Sequence, residues 1–186
     1  LKKASCGKAA NRMEVKIDSP DPNTHAGEII CRGDNLMLGY YKNAEATAQI
    51  IDKDGWLHTG DLATIDEQGY VTIRGRSKNL LLNSSGQNIY PEEIESKLNN
   101  MPYVAESLIV LQNDKLVALI YPDFDDAFAH GLQQPDIEKA MEANLLELNL
   151  QLPAFSQISK VKIHFEEFEK TAKKSIKRFM YQEAKG

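Results

Sequence analysis

The chain has 186 residues, 22 basic against 27 acidic side chains, a net charge of −5, and is 42% hydrophobic and 26% charged. Those proportions exclude a disordered chain, and the mild acidity speaks against a dedicated nucleic-acid binder. No apolar run reaches the roughly 18 residues that a membrane-spanning helix needs. The N-terminal stretch LKKASCGKAANRMEVKID is basic but lacks the apolar segment of a signal peptide. With no initial Met, a piece of a longer chain is expected. Cys6 and Cys31 form no CxxC pair and are expected as reduced, partly buried thiols. His25, His58, His130 and His164 are scattered without HxxxH or HExxH spacing, so no protein-ligated metal is expected.

The first 75 residues read as an antiparallel β unit. Short apolar runs at Met13–Ile17, Gly27–Cys31, Leu36–Leu38 and Tyr70–Ile73 are separated by turn-forming clusters of Pro, Asn, Asp and Gly. One helix interrupts them, with Asn43 as N-cap before the Ala-rich stretch 44–51. After Arg76 the pattern changes. A short run at Leu80–Leu82 leads to a Ser84-Ser85-Gly86 turn, and Pro91 opens a helix at its first turn. Glu92, Glu93 and Glu95 sit near the positive end of its dipole, and Ile94 and Leu98 form its buried face. Val104–Leu111 and Leu116–Tyr121 predict a hairpin around Gln112–Lys115. Ile137, Met141, Leu145 and Leu148 predict a long amphipathic helix over 135–150, and Val161–Phe165 a further strand. The fold class is α+β: a small antiparallel β subdomain, then a small α+β domain with helices on an antiparallel or mixed sheet. The boundary is expected near residues 76–78. Residues 160–186 hold eight basic and four acidic side chains against 14 and 23 in the rest, a tail suited to an anion or simply a solvated Lys-rich helix.

Four segments have the residue types for chemistry. In Trp56-Leu57-His58-Thr59-Gly60-Asp61, a carboxylate after a Gly turn is able to accept hydrogen bonds from a vicinal diol. In Gly75-Arg76-Ser77-Lys78, an Arg at a strand end reaches phosphate or ribose oxygens. In Asn83-Ser84-Ser85-Gly86-Gln87-Asn88-Ile89-Tyr90-Pro91-Glu92-Glu93-Ile94-Glu95, the Gly permits close backbone approach, while Ile89 and Tyr90 read as packing residues. In Lys170-Thr171-Ala172-Lys173-Lys174-Ser175-Ile176-Lys177-Arg178, a mobile Lys is able to neutralise a phosphoryl leaving group. Taken singly, these are a common turn, a strand end, a loop-to-helix junction and a solvated basic segment.

In order and spacing, these segments together with Gly27-Glu28-Ile29 and Gly39-Tyr40-Tyr41…Glu45-Ala46-Thr47 strongly resemble the C-terminal part of the adenylate-forming superfamily: acyl-CoA synthetases, peptide-synthetase adenylation domains and luciferases. The resemblance covers essentially the whole chain. It implies that residues 1–76 are the β-rich end of a large AMP-binding N-terminal domain, most of which lies outside this chain, and that 77–186 are a C-terminal lid domain. It implies acyl-adenylate formation, then thioester formation with CoA, using ATP, Mg²⁺ and CoA, with the Mg²⁺ travelling with the nucleotide. By the same resemblance Asp61 binds the ribose, Arg76 the nucleotide ribose or phosphate, Lys78 is the hinge, and Gly86 lines the thiol tunnel. The family's adenylation lysine lies in a Thr-x-x-Gly-Lys-Ile run. Aligning Thr171 and Ile176 puts Ser175 at that place, with Lys174 one residue earlier as the substitute and Lys173 behind it.

The texture of the GYYKNAEAT, LLLNSSGQNIYPEEIE and FEKT stretches resembles bacterial long-chain fatty acid–CoA ligases, implying fatty acid, ATP and CoA as small-molecule substrates, inactivity of this piece alone, and no nucleic-acid partner. The alternatives are a fatty acyl-AMP ligase or adenylation domain loading a carrier protein, and a catalytically dead regulatory homologue, which Ser175 alone favours. A cytoplasmic place is expected, and a long-chain substrate implies contact with the membrane surface, although helix 135–150 has few Lys or Arg for an interfacial anchor.

Overall fold

A computed structural model describes residue 2 and residues 4–182. The chain divides into two units, Leu1–Asn79 and Leu80–Gly186.

In the first unit, β1 (Met13–Asp18), β2 (Gly27–Gly33), β3 (Leu57–Ile65) and β4 (Val71–Arg76) form one antiparallel sheet in chain order. Its apolar face is small: Ile17, Ala63 and Val71 are buried, with Val15, Ile29 and Ile65 packed against them. Helix α1 (Ala44–Ile50) is capped as the sequence predicts, with Asn43 Oδ1 accepting the Ala46 N–H at 3.0 Å. Two expectations fail here. Leu36–Leu38 forms no strand, since three apolar residues after an Asn-containing turn pair with nothing. Thr59-Gly60-Asp61 is not a turn but lies inside the nine-residue β3, where Gly60 takes a left-handed φ of 72° as the ladder with β2 shifts register.

The second unit begins with a two-strand hairpin, β5 (Leu81–Leu82) and β6 (Asn88–Ile89), followed by α2 (Pro91–Leu98). β7 (Val104–Gln112) and β8 (Lys115–Pro122) form the expected hairpin, and Asn113 and Asp114 both have positive φ (48° and 57°), the twist that two-residue hairpin turns require. Next come α3 (Phe124–Ala129), α4 (Gln134–Leu150) and β9 (Lys160–Ile163), which adds parallel to β8 and makes the sheet mixed. The near-continuous apolar runs of β7 and β8 follow from burial on both faces. Ile109, Ala118 and Ile120 face α2 and α4, packing with Leu98, Ile137, Met141 and Leu148. Leu108, Val110, Val117 and Leu119 face the other way and are covered by Phe168, Ile176 and Tyr181 of the C-terminal segment. That segment is not the Lys-rich helix allowed by its composition. It is an irregular strap carrying an isolated bridge between Lys170 and Ile176 and a 3₁₀ turn at Arg178–Met180, because Phe168, Ile176 and Tyr181 are spaced to cover a sheet face rather than to make one helical stripe. The short α3 carries too few periodic residues to be read from sequence, although Asp123 caps it by accepting the Asp126 N–H at 3.0 Å.

Candidate functional site

Asp61 and Arg76 are direct cross-strand partners in the β3–β4 ladder. Arg76 Nη1 donates to Asp61 Oδ1 at 2.7 Å and to the Thr59 carbonyl at 3.2 Å. Both side chains remain accessible, at 32% and 49% for Asp61 and Arg76. The backbone beneath them is tied down. Thr59 Oγ1 donates to the Ile29 carbonyl at 2.8 Å and accepts the Asp61 N–H at 3.1 Å. The Gly60 N–H donates to Glu28 Oε1 at 2.8 Å, and Glu28 Oε2 lies 2.8 Å from His58 Nδ1. Asp52 stands 3.6 Å from His58 Nε2 on the ring's other side. The Glu28 hydrogen bond, joined by Asp52, raises the His58 pKa above its ordinary value. The result is a fixed carboxylate acceptor beside a guanidinium donor fork, the complement of a diol next to a phosphate. Lys78 is exposed in the 3₁₀ turn Ser77–Asn79 that follows β4.

In the second unit, Gly86 sits in the β5–β6 turn with φ 74° and open space where a Cβ would stand. Asn83 Oδ1 holds that turn by accepting the N–H groups of Ser85 (3.0 Å) and Gln87 (2.8 Å). Ile89 is buried, as a packing residue should be. Cys6, in the first unit, is exposed rather than partly buried because it precedes the sheet and covers none of its apolar face. Burial pushes the Cys31 thiol up.

The C-terminal strap turns tightly at Thr171–Ser175. The Thr171 N–H donates to the Ser175 carbonyl at 2.8 Å, and the Lys174 N–H donates to the Thr171 carbonyl at 2.9 Å. Lys174 has φ 60°, a left-handed conformation that favours glycine. Lys174 thus occupies a backbone position in this turn at which glycine is the least strained residue. Of the strap's lysines, Lys170 pairs with Glu106 at 2.8 Å and Glu167 at 3.2 Å, partners that raise its pKa, and Lys177 stands 3.5 Å from Glu169. Lys173 and Lys174 are exposed and make no ion pair among the described residues.

One pair escaped the sequence reading. Glu95, 7% exposed, receives a two-pronged contact from Arg178: Nη1 donates to Oε1 at 2.8 Å and Nη2 donates to Oε2. Glu95 Oε1 also accepts the Ile109 N–H of edge strand β7 at 2.7 Å. Glu95 therefore does not serve merely as a charge near the helix dipole. The available signal was its place on the stripe 91, 94, 95, 98, whose other members are all apolar and buried.

Residues 78–184 match the model of the AMP-binding enzyme C-terminal domain. The chain belongs to that family. The α+β architecture and the resemblance to adenylate-forming CoA ligases stand with it. Among relatives, the chain is similar to a 3-[(3aS,4S,7aS)-7a-methyl-1,5-dioxo-octahydro-1H-inden-4-yl]propanoyl:CoA ligase of Rhodococcus jostii strain RHA1, 47% identical over 104 residues, covering 56% of this chain and 19% of the relative. It is similar to a 2-methylpropanoate–CoA ligase of Humulus lupulus, 32% identical over 181 residues, covering 92% of this chain and 31% of the relative. Among solved structures it resembles ATP-bound MatB from Rhodopseudomonas palustris, with a TM-score of 0.69 and 27% identity, covering 96% of this chain and 35% of that one. This AMP-binding C-terminal domain, with the β unit before it, thus spans about a fifth to a third of the two relatives' length. Among the described residues no cluster of His, Cys, Asp or Glu is arranged to hold a metal ion, and no helix is long and apolar enough to cross a membrane.

Proposed function

We propose that this chain is the C-terminal part of an ATP-dependent fatty acid–CoA ligase, working with a large N-terminal domain that supplies the acyl pocket. The fatty acid's carboxylate attacks the α-phosphorus of ATP and expels pyrophosphate. The CoA thiol then attacks the acyl carbonyl and expels AMP. The observation that carries this reading is the accessible Asp61–Arg76 pair at adjacent ladder positions in a chain of the AMP-binding family. Asp61 accepts ribose hydroxyls and Arg76 takes a ribose or phosphate oxygen. Lys174 neutralises charge during adenylation, Lys78 is the hinge between residues 1–76 and 77–186, and Gly86 leaves room for the thiol. Mg²⁺ arrives with the nucleotide and supplies charge neutralisation at the phosphates. The relatives named above act on a branched short acid and a bicyclic propanoate, so the fatty-acid assignment rests on sequence texture.

A second reading, a homologue silent in adenylation, draws on Ser175 at the family's lysine place and on the left-handed Lys174 before it. Pyrophosphate–ATP exchange by the full-length protein, across aliphatic acids of increasing length and aromatic acids, with Lys174→Ala beside the wild type, tests both. Exchange driven by long aliphatic acids and lost in Lys174→Ala supports the ligase. Exchange driven by other acids moves the substrate class, and no exchange with any acid supports the silent homologue.

A further inference from the structure

The turn carrying Lys173, Lys174 and Ser175 is anchored on each side by residues that cover the β7–β8 sheet: Phe168 before it and Ile176 after it. Apolar contact alone fixes depth but not register, because a side chain can slide on a flat face. Before the turn, Lys170 meets Glu106 of β7 at 2.8 Å, a point-charge contact that leaves the side chain free to pivot. The contact with a fixed orientation comes after it, from Arg178, four positions beyond Lys174. Its guanidinium fork meets both oxygens of Glu95, and a planar bidentate contact permits one orientation only. Glu95 is itself immobilised. It sits in the first two turns of α2, on the stripe that faces the core, and takes the Ile109 N–H at 2.7 Å. The side chains of the pair are 9% and 15% exposed for Glu95 and Arg178, so water competes weakly for either.

We propose that Glu95, acting through Arg178, is a positioning residue that locks the 171–175 turn in register on its sheet and so sets where Lys173, Lys174 and Ser175 are presented. This rests on the reading of that turn as the adenylation segment. Glu95 and Arg178 are 83 residues apart in sequence, so the lock forms only when α2 and the strap are both in place. The same α2 follows directly on the β5–β6 turn whose Gly86 is proposed above to leave room for the thiol. One ion pair thereby ties the segment of one half-reaction to that of the other.

The test uses the full-length protein with Glu95→Gln combined with Arg178→Met. Gln still accepts the Ile109 N–H and no charge is left buried alone, so the fold is expected to survive. Arg178→Lys, which keeps the charge but not the fork, is the second variant. Amide hydrogen exchange should accelerate about tenfold or more over residues 171–177 of the double variant while the β7–β8 hairpin keeps its protection, as for a local opening. The kcat of pyrophosphate–ATP exchange should fall about tenfold with KM for ATP little changed, since a contact made only in the transition state is what becomes misplaced. Arg178→Lys should fall between. Unchanged exchange over 171–177 overturns the lock, and accelerated exchange with unchanged kcat overturns its positioning role. If the wild type shows no pyrophosphate exchange with any acid, the proposed function fails, while hydrogen exchange still decides the lock.

Discussion

Asp61–Arg76 and Glu95–Arg178 are the same chemical pair in opposite surroundings. The first joins residues 15 apart across one hairpin and lies open to water. The second joins residues 83 apart and is enclosed by a helix, an edge strand and the strap. An exposed pair is worth little to stability and opens cheaply, so its two groups are free to exchange each other for a ligand. A buried pair gives up hydration that only its partner replaces, so it is costly to break and serves as a fastener. Surroundings alone separate a surface pair that opens cheaply from a buried fastener.

Four experiments break or sharpen that contrast. The largest effect is expected for Glu95→Ala, which strands a mostly buried guanidinium and leaves the Ile109 N–H unmatched. Urea unfolding should show a loss of about 3–5 kcal/mol. Asp61→Asn should barely alter unfolding, within about 1 kcal/mol. It should weaken ATP binding to the full-length protein by about 1.5–3 kcal/mol, roughly ten- to a hundredfold, as the loss of charged hydrogen bonds does. A large stability loss with unchanged ATP affinity would reverse the roles given to the two pairs. Lys174→Gly should raise the unfolding free energy by up to about 1 kcal/mol, because it relieves a left-handed φ of 60° at a cost in unfolded-chain entropy. The smallest effect concerns His58, whose carboxylate partner Glu28 raises its pKa above 6.5. Its contribution is complete below about 6.5 and is lost as pH rises through the raised value. Stability of the β unit should therefore decline slightly from mildly acidic to mildly alkaline pH. That slope should be absent in His58→Gln, with an NMR titration of the ring as the direct check.

The same contrast divides what was legible. Asp61 and Arg76 are candidates in sequence through the resemblance, each beside a Gly in a short motif, and the β3–β4 hairpin makes them cross-strand partners. The β3 strand around Asp61 was not found. Gly60 and Thr59 look like a turn, and only pairing with β2 and β4 draws them into a ladder. Lys174 stands as the substitute lysine because aligning Thr171 and Ile176 with the family's run leaves it one residue before the lysine place. The hydrogen bonds of the turn then put it at a backbone position suited to glycine, which no side-chain property announces.

Sequence by itself determined the elements whose signals lie within a few residues. Pro91 starts α2, Asn113-Asp114 turns the β7–β8 hairpin, Asn43 caps α1, and the stripe Ile137, Met141, Leu148 buries α4. The ordered motifs add the resemblance that the match over residues 78–184 turns into family membership. Tertiary structure alone decided that the basic tail straps the second face of a sheet, and that Glu95 is a buried anchor rather than a dipole charge. It also decided that Arg178 on Glu95, beyond the turn, and Lys170 on Glu106, before it, are the strap's ties to the rest of the domain. The physical reason is distance along the chain. Capping, turns and periodicity are local energies, whereas an ion pair across 83 residues exists only after hydrophobic burial has brought its two ends together.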